Sequence, residues 1–179
     1  MTPTERESIL KDLASSRDRV LDIVQGLSPA QANFRPRAER WSVAENVEHV
    51  IVVEQRVLAG VQRILNDPAH TPLAGAFEGQ DAKIVGMIAV VDKPLAAPDP
   101  VRPTGRWQGT ELLREFEQTR KTTGDFVAST QADVKARCFP HPFFGPMSCY
   151  QWLLAISAHT NRHYAQIQQV KSASGFPTA

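Results

Sequence analysis

Apolar and polar positions follow a helical period in four stretches of the chain. Apolar residues recur about every 3.6 positions in these stretches, while charged and polar residues occupy the opposite face. The spacing predicts helices over about Thr4–Leu27, from Ser42 to about Leu65, over about Thr110–Ser129, and from Ser148 to about Ser172. Helices of this size are each about 30 Å long. Because each carries one broad apolar stripe, we expect an all-α fold, an antiparallel four-helix bundle.

Local capping signals define the starts of three of these helices. Ser42 with Glu45, and Ser148 with Gln151, have the spacing of a capping box, in which each side chain satisfies a backbone N–H group of the first turn. Thr110 is the expected cap of the third helix. No alternation typical of strands is evident, and the segment before Ser148 is interpreted as a proline-rich turn.

A long irregular segment separates the second and third predicted helices. Residues 67–109 are rich in proline and glycine, a composition that one regular helix does not have. We expect a long crossover here, with Lys83–Val91 forming either a short helix or an extended piece. Two interpretations of the crossover stay open, a wall or lid over a pocket and an excursion packed on the side of the bundle. Residues 1–179 are expected to form a single domain.

Composition excludes several classes of function. The chain has 20 basic and 19 acidic residues and a formal charge of +1, so no broad basic surface for nucleic acid is expected. No apolar run of about 18 residues predicts a membrane span, and the polar first residues lack a signal peptide, so we expect a cytoplasmic protein. Cys138 and Cys149 are interpreted as thiols, with Cys149 a packing residue rather than a nucleophile.

The candidate chemistry lies in three histidines. His159 and His163 are four residues apart on the fourth predicted helix, which puts both imidazoles on one face, about 5–6 Å apart. Two rings in that arrangement can bind one ion at about 2.0–2.1 Å. His49, inside the second helix among valines and isoleucine, is the best third candidate. The alternative is that these are surface or hydrogen-bonded core histidines, and the HExxH pattern of metalloproteases is absent.

Two motifs raise the weight of the metal interpretation. WSVAENVEH (residues 41–49) resembles the Trp-Ser-x-x-Glu-x-x-x-His segment of the DinB/YfiT-like superfamily. HPFFGPMS (residues 141–148), followed by Trp152 and by His159-x-x-x-His163-x-x-Gln166, resembles its second motif. The resemblance follows nearly the whole chain in order.

The resemblance implies a four-helix bundle with a long crossover between its second and third helices. It also implies that His49, His159 and His163 hold a divalent ion, usually zinc or nickel, and that the chain forms a homodimer. Characterised members include transferases and isomerases that use low-molecular-weight thiols, and other members are called metal-dependent hydrolases. A small molecule is therefore the expected substrate, and a low-molecular-weight thiol is a candidate partner.

The sequence leaves the reaction open. The leading hypothesis is a metal-dependent hydrolase or thiol S-transferase, and the alternative is a non-catalytic metal-containing module for small-molecule binding or stress response. A third interpretation is a bundle whose histidines bind no ligand. Glu45 is interpreted as a helix cap rather than a carboxylate that orients an imidazole. His141 is interpreted as structural, Gln166 as either pocket-lining or exposed, and Trp41 as packing near a helix start.

Overall fold

The computed structural model describes residues 1–70, 79–90 and 96–178, most of which are helical. The helices are α1 (Pro3–Val24), α2 (Pro29–Asn33), α3 (Val43–Asn66), α4 (Asp81–Ala89), α5 (Gly109–Ser129) and α6 (Cys149–Lys171). A hairpin of two strands, β1 (Cys138–His141) and β2 (Gly145–Ser148), precedes α6, and one turn of 3-10 helix covers Asp99–Val101.

The four long helices α1, α3, α5 and α6 form the bundle, in which α3 and α1 each pack against both α5 and α6. Two apolar clusters fill its interior. One cluster joins the N-terminal halves of α1 and α6 to the C-terminal halves of α3 and α5, and includes Ile9, Leu13, Val57, Val61, Val127, Leu153 and Ile156. The other joins the opposite halves, and includes Val20, Val24, Val47, Ile51, Leu112, Phe116, Ile167 and Val170.

These clusters also give the helix directions. The chain reverses between α1 and α3 and again between α5 and α6, while the crossover returns it so that α5 starts at the same end as α3. The predicted four-helix bundle with a long crossover between its second and third long helices is confirmed; α1 is antiparallel to α3 and α5 to α6, while the crossover makes α3 and α5 parallel.

The capping boxes at Ser42 and Ser148 are present as predicted, with Glu45 and Gln151 completing them. The prediction that Thr110 caps the third long helix is wrong. That helix begins at Gly109, and its N-cap residue Gln108 makes no side-chain capping bond. Gly109 itself has a φ of 53°, outside the right-handed helical region, a conformation that glycine adopts without a steric cost.

The β1–β2 hairpin was not predicted, because its sequence has the composition of a turn. Pro140 pairs with Pro146 in the antiparallel register, and neither residue has an N–H group to donate to the ladder. His141 pairs with Gly145, whose φ of 74° closes the connection. The hairpin holds residues 141–148, the beginning of the second motif, against the N-terminal half of α6.

The crossover contains structure of its own. Within the segment expected to be a short helix or an extended piece, α4 is helical and buries Ile84 and Ile88 against the bundle. Position 91, the end of that expected piece, and prolines 72 and 94 lie outside the described residues. Further along, the buried carboxylate of Glu48 on α3 accepts hydrogen bonds from the backbone N–H groups of Thr104 and Gly105, both at 2.8 Å. The late crossover is therefore fastened directly to α3.

A buried ion pair lies at the centre of the bundle. Arg120 on α5 is 2.9 Å from the carboxylate of Glu54 on α3, and both side chains are only 2% exposed. The same guanidinium donates to the carbonyl of Leu13 at 2.8 Å, to Ser16 Oγ at 2.7 Å and to Thr160 Oγ1 at 2.9 Å. Burial raises the pKa of Glu54 and lowers that of Arg120, and the opposite charge of each partner counteracts the shift. Arg120 thus links all four long helices.

Candidate metal centre

The packing of α3 against α6 brings the three candidate histidines together. His49 comes from α3, and His159 and His163 lie one turn apart on α6. One nitrogen from each imidazole lies within 4.8 Å of the other two. The ring centroids are separated by 4.5 Å (His159–His163), 4.7 Å (His49–His163) and 5.1 Å (His49–His159).

The crossover fixes the tautomer of His49. Its Nδ1 lies 2.7 Å from the backbone carbonyl of Val101, in the 3-10 turn. A carbonyl oxygen only accepts, so Nδ1 carries the proton and Nε2 presents a lone pair. Glu48, the residue before His49, fastens Thr104 and Gly105, so both residues anchor the crossover to α3.

Asn46 fixes the tautomer of His163. The side-chain amide of Asn46 donates from Nδ2 to the backbone carbonyl of Ser42 at 2.8 Å, which leaves Oδ1 to face His163. That oxygen lies 2.9 Å from His163 Nδ1. The acceptor again holds the proton on Nδ1, so the lone pair is on Nε2. Asn46 lies three positions before His49 on α3, so the helix that supplies one histidine also orients another.

Burial keeps all three imidazoles neutral. His49 and His163 are each 5% exposed, and His159 is partly exposed toward the adjoining cavity. Desolvation lowers the pKa of His49, although its hydrogen bond to Val101 opposes the shift. Desolvation also lowers the pKa of His159 and of His163 well below the ordinary value, and the positive charge of Arg162 lowers both further. The neutral ring is the form that binds a metal ion.

The histidines lie in the wall of a cavity of about 700 Å³ between the bundle, the hairpin and the crossover. Val101 and Pro98 of the crossover line it. Of the two interpretations of the crossover, this part therefore agrees with a wall of a pocket and not with an excursion packed on the side of the bundle. Five aromatic residues form much of the remaining lining: Trp41, Phe139, Phe143, Phe144 and Trp152. The Trp41 ring centroid is 4.7 Å from that of His49, so Trp41 contacts the histidine cluster as well as the start of α3.

His141, interpreted from sequence as structural, lines this cavity. Its ring centroid lies 4.5 Å from that of Phe144 and 4.9 Å from that of Trp152, and burial lowers its pKa to about 4. The backbone N–H of Phe143 donates to His141 Nδ1 at 3.1 Å. The proton of the neutral ring is therefore on Nε2, where it is a hydrogen-bond donor.

The other candidate residues either cap a helix or line the cavity. Glu45 completes the capping box with Ser42 and pairs with Arg35, in agreement with its interpretation as a helix cap. Gln166 lines the cavity. Asn46 and Glu48 were not singled out from sequence, although both lie inside the first motif, three residues and one residue before His49.

The two cysteines are buried and free, and they lie outside the cavity lining. Burial raises the pKa of Cys138 and raises that of Cys149 to about 12. Both are therefore protonated at neutral pH, as expected of packing residues and not of nucleophiles.

The fold and the site define the general class of this protein, a four-helix bundle with three histidines clustered in the wall of a cavity. The family model of the DinB superfamily matches residues 12–167, so the chain belongs to this superfamily. Within the described ranges of the chain, none of the helices combines the length and apolarity that crossing a membrane requires.

The individual relatives share only low sequence identity with this chain. The chain is 26% identical over 149 residues to the uncharacterized protein YuaE of Bacillus subtilis (strain 168), covering 83% of this chain and 88% of YuaE. Among solved structures, YfiT from Bacillus subtilis superposes with a TM-score of 0.65 at 15% identity, over 99% of this chain and 91% of YfiT. YfiT is described as a probable metal-dependent hydrolase with an unusual four-helix bundle topology. The four-helix bundle protein TT2238 gives a TM-score of 0.56 at 22% identity, over 92% of this chain and 98% of TT2238. At these identities the two structures show a shared fold.

Proposed function

We propose that this protein is a metal-dependent enzyme that hydrolyses a small organic molecule, and that His49, His159 and His163 hold its divalent ion, zinc or nickel. The observation that carries the proposal is the convergence of three imidazole nitrogens, within 4.8 Å of one another, in the wall of a cavity of about 700 Å³. The description of YfiT as a probable metal-dependent hydrolase supports the same chemistry.

The donor set fits such an ion. Imidazole nitrogen is a preferred ligand of zinc and nickel, and three protein ligands leave a coordination position for water or substrate. Val101 and Asn46 hold the Nδ1 protons of His49 and His163, so the Nε2 lone pairs of both rings are available to an ion. When bound, a divalent ion supplies a Lewis acid that lowers the pKa of a coordinated water toward about 7.

The surrounding residues have roles that do not depend on the identity of the ion. The aromatic lining offers apolar surface to a substrate, as is typical of small-molecule sites. His141, with its proton held on Nε2, is a neutral donor that can hydrogen-bond a substrate oxygen. Asn46 and the Val101 carbonyl keep two of the three imidazoles in a fixed orientation.

Thiol transfer is the second candidate, and the distribution of acidic groups favours it. Among the described residues that line the cavity, Glu39 is the one with a carboxylate, and its side chain is exposed. Hydrolysis commonly uses a nearby general base, whereas a thiol bound to a divalent ion becomes a thiolate without one. A low-molecular-weight thiol would then be the cosubstrate.

Metal analysis and a substrate panel test the proposal together. Purified protein is expected to contain about one zinc or nickel ion per chain by inductively coupled plasma mass spectrometry, and H159A is expected to lose it. H70A is the matched control, because His70 lies outside the cavity lining and should leave the metal content unchanged.

The metal-loaded protein is then assayed on esters, amides, and thiols paired with electrophiles. Ester or amide turnover that H159A abolishes supports hydrolysis, and thiol conjugation alone supports the second candidate. Full metal with no turnover across the panel would favour the non-catalytic binding module. Equal metal content in wild type and H159A would refute the three-histidine site.

A further inference from the structure

The mouth of the cavity carries a local excess of positive charge that the overall composition does not suggest. Four arginines line it, Arg40, Arg56, Arg102 and Arg162, against the single carboxylate of Glu39 among the described lining residues. The whole chain has a formal charge of only +1. Among the described lining residues, four guanidinium groups therefore face one carboxylate across this space.

Arg56 is the guanidinium best placed to meet a ligand. It lies seven residues after His49 on α3, two helical turns along the same face, and its side chain is exposed. No hydrogen-bond or ion-pair partner holds it within the described ranges. Arg102, by contrast, pairs with Asp99 at 3.1 Å, and Arg40 donates to Gln169 at 2.8 Å.

Arg162 brings positive charge close to the histidines themselves. It directly precedes His163 on α6, and its guanidinium donates to the backbone carbonyl of Val90 beside α4. Arg162 lines the same cavity as His159 and His163. Its positive charge favours a negative group of a ligand at that position.

The rest of the lining is apolar. Val53 and Val57 lie on α3 between and beside His49 and Arg56, and the stacked rings of Phe139 and Trp152, 4.6 Å apart between centroids, face the same space. A ligand that fits both parts needs an apolar body and one negative group.

We infer that the cavity takes a small organic anion, a carboxylate or phosphonate-like group on an apolar body, with Arg56 and Arg162 binding the negative group and the Phe139–Trp152 wall binding the body. This substrate class deepens the proposed enzymatic function and rests on it for the reaction. A guanidinium presents two parallel N–H groups to a carboxylate or phosphate-type anion, which adds orientation to the charge attraction.

Matched probes of similar size and different charge test the inference. Isothermal titration calorimetry at low salt compares 3-phenylpropionate and benzylphosphonate with the neutral 3-phenylpropionamide, on purified protein whose metal content is measured in every sample. At least one anion is expected to bind about tenfold or more tightly than the amide. R56Q and R162Q should each weaken anion binding about threefold to tenfold and leave amide binding within twofold.

R63Q is the matched control for net charge. Arg63 is exposed on the same helix two turns beyond Arg56, and it does not line the cavity, so this variant should keep the full anion preference. Equal affinity for the anions and the amide would overturn the inference. An anion preference unchanged in both R56Q and R162Q would also overturn it, because the preference would then come from a bound metal ion or another group.

The metal measurement separates this result from the proposed function. Arginine-dependent anion binding in protein that takes up no divalent ion would support the anion site and refute the metal enzyme. Protein that holds its full complement of metal and turns over substrate, but shows no arginine-dependent preference for anions, would support the metal enzyme and refute the anion site.

Discussion

Replacement of Asn46 by alanine tests whether the residues behind the histidines control metal affinity. The Asn46 side chain is 1% exposed and has three hydrogen-bond partners, the Ser42 carbonyl at 2.8 Å, the Trp41 carbonyl at 3.5 Å and His163 Nδ1 at 2.9 Å. N46A removes all three bonds. His163 Nδ1–H then lacks an acceptor, and its ring loses the contact that fixes its orientation toward the site.

The expected effect can be divided between metal binding and folding. Loss of a hydrogen-bond acceptor behind a metal-binding histidine typically weakens metal affinity about 10- to 100-fold, which corresponds to about 1.4–2.7 kcal/mol. Loss of the bond to Ser42 should lower the free energy of unfolding of the metal-free protein by about 1 kcal/mol. N46D keeps an acceptor oxygen for Nδ1–H, and so is expected to bind the metal at least as tightly as the wild type.

Competition with a chromophoric chelator measures the zinc Kd of each variant. N66A is the control, since Asn66 is an exposed residue at the C-terminal end of the same helix. A zinc Kd for N46A within twofold of the wild type would refute the role of Asn46. If N46D bound as weakly as N46A, the acceptor oxygen could not be the cause.

Three further predictions concern stability. R120M leaves the buried carboxylate of Glu54 without its counter-ion and should lower the free energy of unfolding by about 3–5 kcal/mol in urea titrations; recovery in the double variant with E54L is expected, and equal loss in both would contradict the ion-pair argument. E48Q removes the charged acceptor of the Thr104 and Gly105 N–H groups, so hydrogen exchange of those two amides should accelerate, with a cost of about 1–3 kcal/mol. The metal-free protein should lose stability as the pH falls below about 6.5, because burial lowers the pKa of the three site histidines and the unfolded chain then binds more protons. Each histidine contributes up to about 1.4 kcal/mol per pH unit between 6.5 and its lowered pKa, and a Tm that stays constant from pH 7.5 to 5 in the presence of chelator would contradict this.

Much of the bundle could be predicted because its signals are local. Helix period, the Ser42 and Ser148 capping boxes and the pairing of His159 with His163 each depend on residues within a few positions of one another. The same local reasoning failed at Thr110, which lies inside the helix, whose N-cap residue is Gln108 and has no side-chain capping bond. It also missed the hairpin, because the facing prolines give the sequence the character of a turn.

The chain by itself therefore determined the long helices, their apolar faces and one histidine pair. Tertiary structure alone decided what surrounds that pair, because the contacts join residues far apart in sequence. Asn46 and His163 are 117 positions apart, and His49 and Val101 are 52 apart. Whether such residues meet depends on which helix faces pack together and where the crossover is fastened, and periodicity carries neither kind of information. The motif resemblance pointed to His49, and the packing of α3 on α6 brought it to the other two histidines.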